Sequence, residues 1–360
     1  MTALVLFLLL GGGAGQGQTD SDFWARTLAR SPEVERWLLE GDQRLQLRAE
    51  EQWRQAEQAF AEAARLAPRD PRVRQEHAQS LGLLGRYAEE LQEWRAVRRL
   101  DDKLDPGGVA MALGVCLART GEYAAAAQEY RRAIDARSDV TLGIAHWNLG
   151  DVEMALGHVE EALHQYQLAL LAATSAGAGT NLEHDAPAIE LALAVAHDRA
   201  GDEAQARIIA RRAVARGALR VLGERVSQIF FVPPEDQPYT LALGNEVAGE
   251  RVSALEQWTE YLQHAPNGPW LARARAHLDA LLSETPRGGP VPSELSKCVA
   301  GRRLVAEVRL GGSSAAPAIR IFPSDGAADV QACLDLAARR LGGSGRYLLV
   351  GKLDSRSAPP

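Results

Sequence analysis

Lysine, cysteine and long apolar runs are all scarce in this chain of 360 residues, and each shortage excludes a class of function. Arginine and lysine together number 40 against 47 aspartate and glutamate residues, and the formal net charge is -7. Binding to nucleic acid needs a basic face that neutralises phosphates. The acidic balance therefore excludes general nucleic-acid binding and favours proteins as partners.

The longest apolar stretch at the start of the chain, Ala3 to Leu10, is too short to span a bilayer. Small residues follow it from Gly11 to Gly15, and this order predicts a cleaved signal peptide over residues 1–18. No cysteine follows the run to accept a lipid, and no other segment is apolar enough to form a stable membrane span. We therefore expect a periplasmic or secreted protein. Because no Lys or Arg precedes the run, an uncut intracellular chain is the alternative.

Motifs that carry chemistry are missing from the sequence. It contains no H-E-x-x-H, G-x-S-x-G, Walker-type glycine loop or C-x-x-C, and its eight histidines are spread out rather than clustered. We therefore predict no catalytic residue, no metal site and no cofactor. An enzyme built on the C-terminal part remains an alternative, with only four residues to offer: Asp325, Asp329, Arg339 and Arg340.

Repetition at a fixed interval is the strongest positive signal. One unit near Gly107 reads Leu113-Gly114, Gly121, Ala126, Tyr130 and Ala133, and slightly more than 34 residues later the frame recurs as Leu149-Gly150, Gly157, Ala162, Tyr166 and Ala169. A small residue permits close helix packing, and a glycine between helices supplies a positive φ. The pattern predicts pairs of helices joined by tight turns.

This scheme resembles the tetratricopeptide repeat (TPR), which implies an α-solenoid that binds other proteins. About six pairs fill residues 33–283 of a domain over residues 19–283, which ends in a capping helix between Pro269 and Leu282. An apolar, proline-containing insert at 217–238 interrupts the repeats. We interpret this insert as a strap packed on the repeats, or alternatively as a loop that binds a partner.

In TPR proteins, side chains at fixed positions of the first helix of each pair line a groove for a peptide or helix. Carried onto this chain, the resemblance implies a groove lined by Met111, Val115, Arg119, Trp147, Asn148, Asp151, Met154, Asp198 and Arg199. An aromatic residue, two methionines and mixed charges suit a bound peptide. Packing within the repeat is the alternative role for Trp147.

Beyond a Pro/Gly-rich linker at 284–294, the periodicity changes to that of strands. Alternating apolar residues predict strands at 303–310, 318–322 and 347–353, with a helix opening at Asp325 or Gly326. The sequence thus predicts a small α+β domain over residues 295–355. An exported protein permits a disulfide between Cys298 and Cys333.

This order of cysteine, two strands, cysteine-bearing helix and strand resembles the C-terminal domain of myxobacterial gliding-motility proteins and of TonB-type energy transducers. The resemblance implies a scaffold of the bacterial cell envelope that works in a motility or trans-envelope complex. Taken together, the sequence predicts a mainly α, non-catalytic adaptor that binds protein segments. The alternative is an intracellular, co-chaperone-like TPR protein that binds peptides.

Overall fold

The structure is a computed structural model of the chain, and it describes residues 30–47, 49–100, 105–136, 139–175, 181–225, 236–264, 268–283, 291–300, 302, 304–311, 316–322, 327–341 and 344–350. The chain divides into two compact units. The first contains residues 1–196 and 220–233, and the second contains residues 197–219 and 234–360. The predicted signal peptide lies outside the described residues.

The first unit is built from consecutive helical pairs. Within the described residues, its first eight helices are α1 (Pro32–Gln46), α2 (Glu50–Leu66), α3 (Pro71–Leu83), α4 (Tyr87–Leu100), α5 (Pro106–Arg119), α6 (Tyr123–Asp135), α7 (Asp139–Ala155) and α8 (Val159–Ser175). Helix α9 (Asn181–Arg199) follows and reaches the start of the second unit. Each odd-numbered helix from α1 to α7 packs on the even-numbered helix after it.

Sequence-encoded caps fix where these helices begin and end. The side chain of Asp70 accepts hydrogen bonds from the backbone N–H groups of Arg72 and Val73 at the start of α3, where Pro71 is the first residue. Between α5 and α6, Gly121 has a φ of 82°, and the N–H of Glu122 reaches back to the carbonyl of Leu117 at 2.8 Å. The same positive-φ turn with its six-residue hydrogen bond closes four other pairs, at Gly85, Gly157, Gly201 and Gly249.

Glycine and aromatic residues hold the two helices of a pair together. A Cβ atom added at Gly114 of α5 would lie 2.6 Å from the ring of Tyr130 on α6, closer than real Cβ contacts. Gly150 of α7 meets Tyr166 of α8 in the same way, also at 2.6 Å. Both aromatic side chains are buried. The predicted fold class, repeated helical pairs that pack through small and aromatic residues, is confirmed.

The second unit contains the remaining helices of the repeats. They are α10 (Glu203–Ala215), α12 (Gln237–Ala248), α13 (Arg251–His264) and α14 (Leu271–Ser283). Between α10 and α12, helix α11 (Ala218–Arg225) occupies part of the predicted insert 217–238, because Val221 and Leu222 give it a buried side. At the other end of the insert, Gln237 and Pro238 already belong to α12. Residues 226–235 lie outside the described part, and so do the strap and loop interpretations placed on them.

The C-terminal module follows in the same unit. It consists of α15 (Ser293–Val299), β1 (Val305–Gly311), β2 (Ala318–Phe322), α16 (Ala328–Leu341) and β3 (Ser344–Val350). Both neighbours of β1 run antiparallel to it, in the order β2-β1-β3. One apolar core joins α15, α16 and the sheet, and Cys298 of α15 forms a disulfide with Cys333 of α16. The C-terminal end of the predicted linker, 284–294, overlaps a helix, because Ser293 and Glu294 already belong to α15.

Candidate binding groove

The residues that the TPR resemblance places in a groove are mostly buried. Met111 of α5 and four side chains of α7 are at most 8 % exposed; the four are Trp147, Asn148, Asp151 and Met154. Val115 and Arg119 are only partly buried. Among these seven residues, Val115 and Arg119 are therefore the most accessible to a partner, and the groove itself stays a prediction.

Contacts between neighbouring helices show what the buried polar members do. The hydroxyl of Tyr166 on α8 donates a 2.7 Å hydrogen bond to Oδ1 of Asp151. The amide nitrogen of Asn148 lies 3.7 Å from the sulfur of Met111, which joins α7 to α5. Burying polar groups is tolerated when they find such partners. These side chains connect helices, so packing accounts for their position.

Arg119, at the end of α5, is 19% exposed and lies beside an acidic and an aromatic neighbour. Its guanidinium lies 4.7 Å from the ring centre of Tyr87 and 4.0 Å from Oε2 of Glu90. The same carboxylate lies near Cys116, and burial together with this negative charge raises the pKa of the Cys116 thiol well above its ordinary value. A thiol held protonated in this way is a poor nucleophile.

Asp198 and Arg199, at the end of α9, belong to the second unit and are also buried. Asp198 accepts hydrogen bonds from the hydroxyl of Tyr239 at 2.6 Å, from Nε of Arg273 at 3.0 Å and from Nε2 of His277 at 3.1 Å. Burial alone would raise the pKa of this carboxyl. Hydrogen bonds from His277 and Arg273 outweigh burial and hold the pKa well below its ordinary range.

His277 of α14 lies between two carboxylates. Its Nδ1 is 2.9 Å from Oε2 of Glu246, while its Nε2 faces Asp198. The ring stacks on Trp258 with 4.6 Å between centroids, and the indole N–H of Trp258 donates to Glu246 at 3.3 Å. Burial would lower the pKa of His277, but hydrogen bonds to Asp198 and Glu246 raise it to about 9. The imidazole is therefore charged at neutral pH.

Arg199 is held equally firmly. Both of its terminal nitrogens donate to Asp236, at 2.9 and 3.2 Å, and its guanidinium lies 4.3 Å from the ring centre of Tyr239 and 5.3 Å from that of Trp270. Planar, bidentate pairing of this kind suits arginine. Asp198 and Arg199 are thus members of an internal ionic network, and their place in a groove stays a prediction.

The other members of this network were not predicted from the sequence. Arg273 and His277 are four residues apart and so lie on one face of α14, which is a local signal. Their carboxylate partner Asp198 is 75 or more residues earlier in the chain. Only the packing of α9, α12 and α14 shows that these charges meet.

Among the described residues, few side chains are arranged as in a metal site or a catalytic site. In that part of the chain, no group of three or more His, Cys, Asp or Glu side chains could hold a metal ion. Asp329, one of the residues considered for an enzyme, forms an ion pair with Arg302, and Arg339 and Arg340 are exposed. Asp325 lies outside the described residues. None of the helices described is both long and apolar enough to cross a membrane.

Comparisons with known proteins extend this description only at the level of fold. No family model matches the chain, and no curated protein is similar to it. Among solved structures, PilW, described as a type IV pilus biogenesis factor, matches with 17% identity over 71% of this chain and 100% of its own, with a TM-score of 0.46.

Two further solved structures are similar to the chain at the same level. PilF of Pseudomonas aeruginosa has 16% identity, coverage of 70% and 98%, and a TM-score of 0.45. YrrB, described as a TPR protein with an unusual peptide-binding site, has 16% identity, coverage of 61% and 98%, and a TM-score of 0.37. Assignment of the helical pairs as tetratricopeptide repeats depends on this chain's own turns and glycine–aromatic contacts.

Proposed function

We propose that the chain is a non-catalytic adaptor that binds a segment of another protein along the first helices of its repeats. The repeated pairing of Gly114 with Tyr130 and of Gly150 with Tyr166 supports this proposal most directly, because it builds two equivalent helical pairs whose first helices, α5 and α7, contact each other. Helices aligned in this way offer a continuous surface to an extended peptide or a helix. Val115 and Arg119 are the predicted groove residues that a partner reaches first.

A photo-crosslinking amino acid placed at residue 115 or 119 in cells tests this function. We expect a defined cross-linked complex from both positions, identified by mass spectrometry. Leu171 of α8 is a matched control, because it is 62% exposed but lies on the second helix of its pair. Equal cross-linking from position 171, or none from positions 115 and 119, would contradict binding along α5.

We also propose that the adaptor works in the bacterial cell envelope, in a motility or trans-envelope complex. Two observations support export. The chain carries a short apolar run followed by small residues, and the Cys298–Cys333 disulfide is of a kind that persists in oxidising compartments. The choice of complex rests on the resemblance of the C-terminal module to envelope proteins.

Intact mass of the natively expressed protein, measured after cell fractionation and thiol alkylation, tests the location. We expect a periplasmic or secreted species cut between Ala14 and Gln18, with Cys298 and Cys333 protected from alkylation. An uncut cytoplasmic chain with both thiols reactive would move the function to an intracellular, co-chaperone-like peptide binder.

A further inference from the structure

The sheet of the C-terminal module has one face that turns away from the module's core and carries charged side chains beside the buried Val305. On β1, Ala306 and Val308 point into the module's apolar core, so Glu307 and Arg309 lie on the opposite face. Arg320 of β2 is directly opposite Glu307 in the antiparallel register and therefore shares that face. Helix α13, the second helix of the last pair, packs on β1 and β2.

Polar contacts join this face to α13. Arg309 forms an ion pair with Glu250, at the start of the helix. Arg320 donates a hydrogen bond to the hydroxyl of Ser253 and lies 3.8 Å from Oε2 of Glu256. Glu250, Ser253 and Glu256 follow each other at intervals of three residues, which places them on one side of the helix. Two carboxylates at the N-terminal end of α13, those of Glu250 and Glu256, thus sit across a pair of arginines.

Four charged side chains at this contact remain accessible to water, whereas Glu307, on the same face, is buried and forms an ion pair with Arg309. Arg309 and Arg320 are 43% and 50% exposed, and Glu250 and Glu256 are 28% and 37% exposed. Ion pairs at such exposure are screened and hold weakly. The module has its own apolar core and its own disulfide, so its fold does not depend on them. The ion pairs between α13 and the two arginines are therefore the weakly held part of this contact.

We propose that the Arg309 and Arg320 face of the module is a binding surface for an acidic helix of a partner protein, and that α13 occupies it in the isolated chain. Arginines recognise carboxylates strongly and directionally. Because α13 belongs to the same chain, it competes at an effective concentration on the order of millimolar. A partner helix displaces α13 from the two arginines when it carries carboxylates at the same spacing as Glu250 and Glu256.

Binding of a labelled peptide to the full chain tests this assignment. The probe is a synthetic, fluorescein-labelled peptide of residues 249–264 in which the two aromatic residues are replaced by alanine, and its anisotropy reports binding. We expect weak binding to the unaltered chain. In the double variant Glu250→Arg, Glu256→Arg, α13 repels the arginines, and we expect affinity for the peptide to rise about tenfold or more. Affinity should fall again as NaCl is raised.

Two controls decide the outcome. Glu260→Arg, on the same helix but paired with His264 and Gln257 rather than with the module, should leave peptide binding unchanged. Adding Arg309→Glu and Arg320→Glu to the α13 double variant should abolish binding, because the carboxylates of the peptide then meet carboxylates on the sheet. The proposal is overturned if reversing α13 does not increase binding, or if binding persists without the two arginines. Hydrogen exchange across β1 identifies a variant whose module is unfolded.

Discussion

The ionic network around His277 predicts how the stability of the second unit changes with pH. Both ring nitrogens face carboxylate oxygens, at 2.9 Å from Glu246 and 3.1 Å from Asp198. A neutral imidazole has one N–H, so both nitrogens donate only when the ring is protonated. Arg273, which also donates to Asp198, and the hydroxyl of Tyr239 complete the polar surroundings. The folded unit therefore favours the charged ring.

The magnitude follows from the pKa of His277, which folding raises from 6.5 to about 9. Below pH 6.5 the ring is protonated in both the folded and the unfolded chain, and the stabilisation is complete. Between pH 6.5 and 9 the folded state binds one more proton, so stability falls by about 1.4 kcal/mol per pH unit as pH rises. Above pH 9 a contribution of about 3 kcal/mol is lost.

Urea unfolding followed by circular dichroism between pH 6 and pH 10 measures this loss. Replacement of His277 by glutamine keeps a donor for Asp198 but removes the titration. We expect the difference in unfolding free energy between wild type and His277→Gln to narrow by about 3 kcal/mol from pH 6 to pH 10. His264→Gln, at an exposed histidine, should follow wild type. A difference that stays constant with pH would refute a charged His277.

Two other predictions concern packing and the module. Gly114→Ala should destabilise the chain by about 1–3 kcal/mol in urea unfolding, because the new Cβ meets the ring of Tyr130. Gly223→Ala, in open space on α11, should leave the free energy of unfolding unchanged. Equal effects of the two substitutions would contradict the close contact. Replacing Cys298 and Cys333 by alanine should destabilise the module by about 2–4 kcal/mol, seen as faster hydrogen exchange in β1 but not in α7; exchange unchanged in β1 would show that the disulfide contributes nothing.

Local patterns were sufficient to predict the helical pairs and much of the module. Gly121 and Tyr130 lie within a single repeat, so the turn and the contact that they make are encoded by neighbouring residues. Strand β2 occupies the predicted residues Ala318–Phe322. Helix α15 was missed because it has only seven residues and follows a proline-rich stretch, where periodicity gives no helical signal.

The groove could not be predicted in the same way, because burial depends on residues far apart in the chain. The repeat pattern predicts that Trp147 and Asp198 lie on the first helix of a pair, and in the structure they lie on α7 and α9. Whether such a side chain is open or covered is decided by what packs on it. For Asp198 the decisive partners come from α12 and α14, 41 to 79 residues later.

Asp198 and Arg199 already make their hydrogen bonds inside this network, and this limits where the second unit can bind a partner. The oxygens of Asp198 accept from Tyr239, Arg273 and His277, and both terminal nitrogens of Arg199 are bonded to Asp236. A ligand seeking these charges would have to break a buried pair and leave the other partner uncompensated, which costs roughly 3–5 kcal/mol. At the half-exposed Arg309 and Arg320 of the module's sheet, a ligand that replaces α13 breaks only exposed ion pairs. This replacement costs far less free energy. Recognition in this unit is therefore expected at the charged sheet face, while the network at the end of α9 keeps the last helices together.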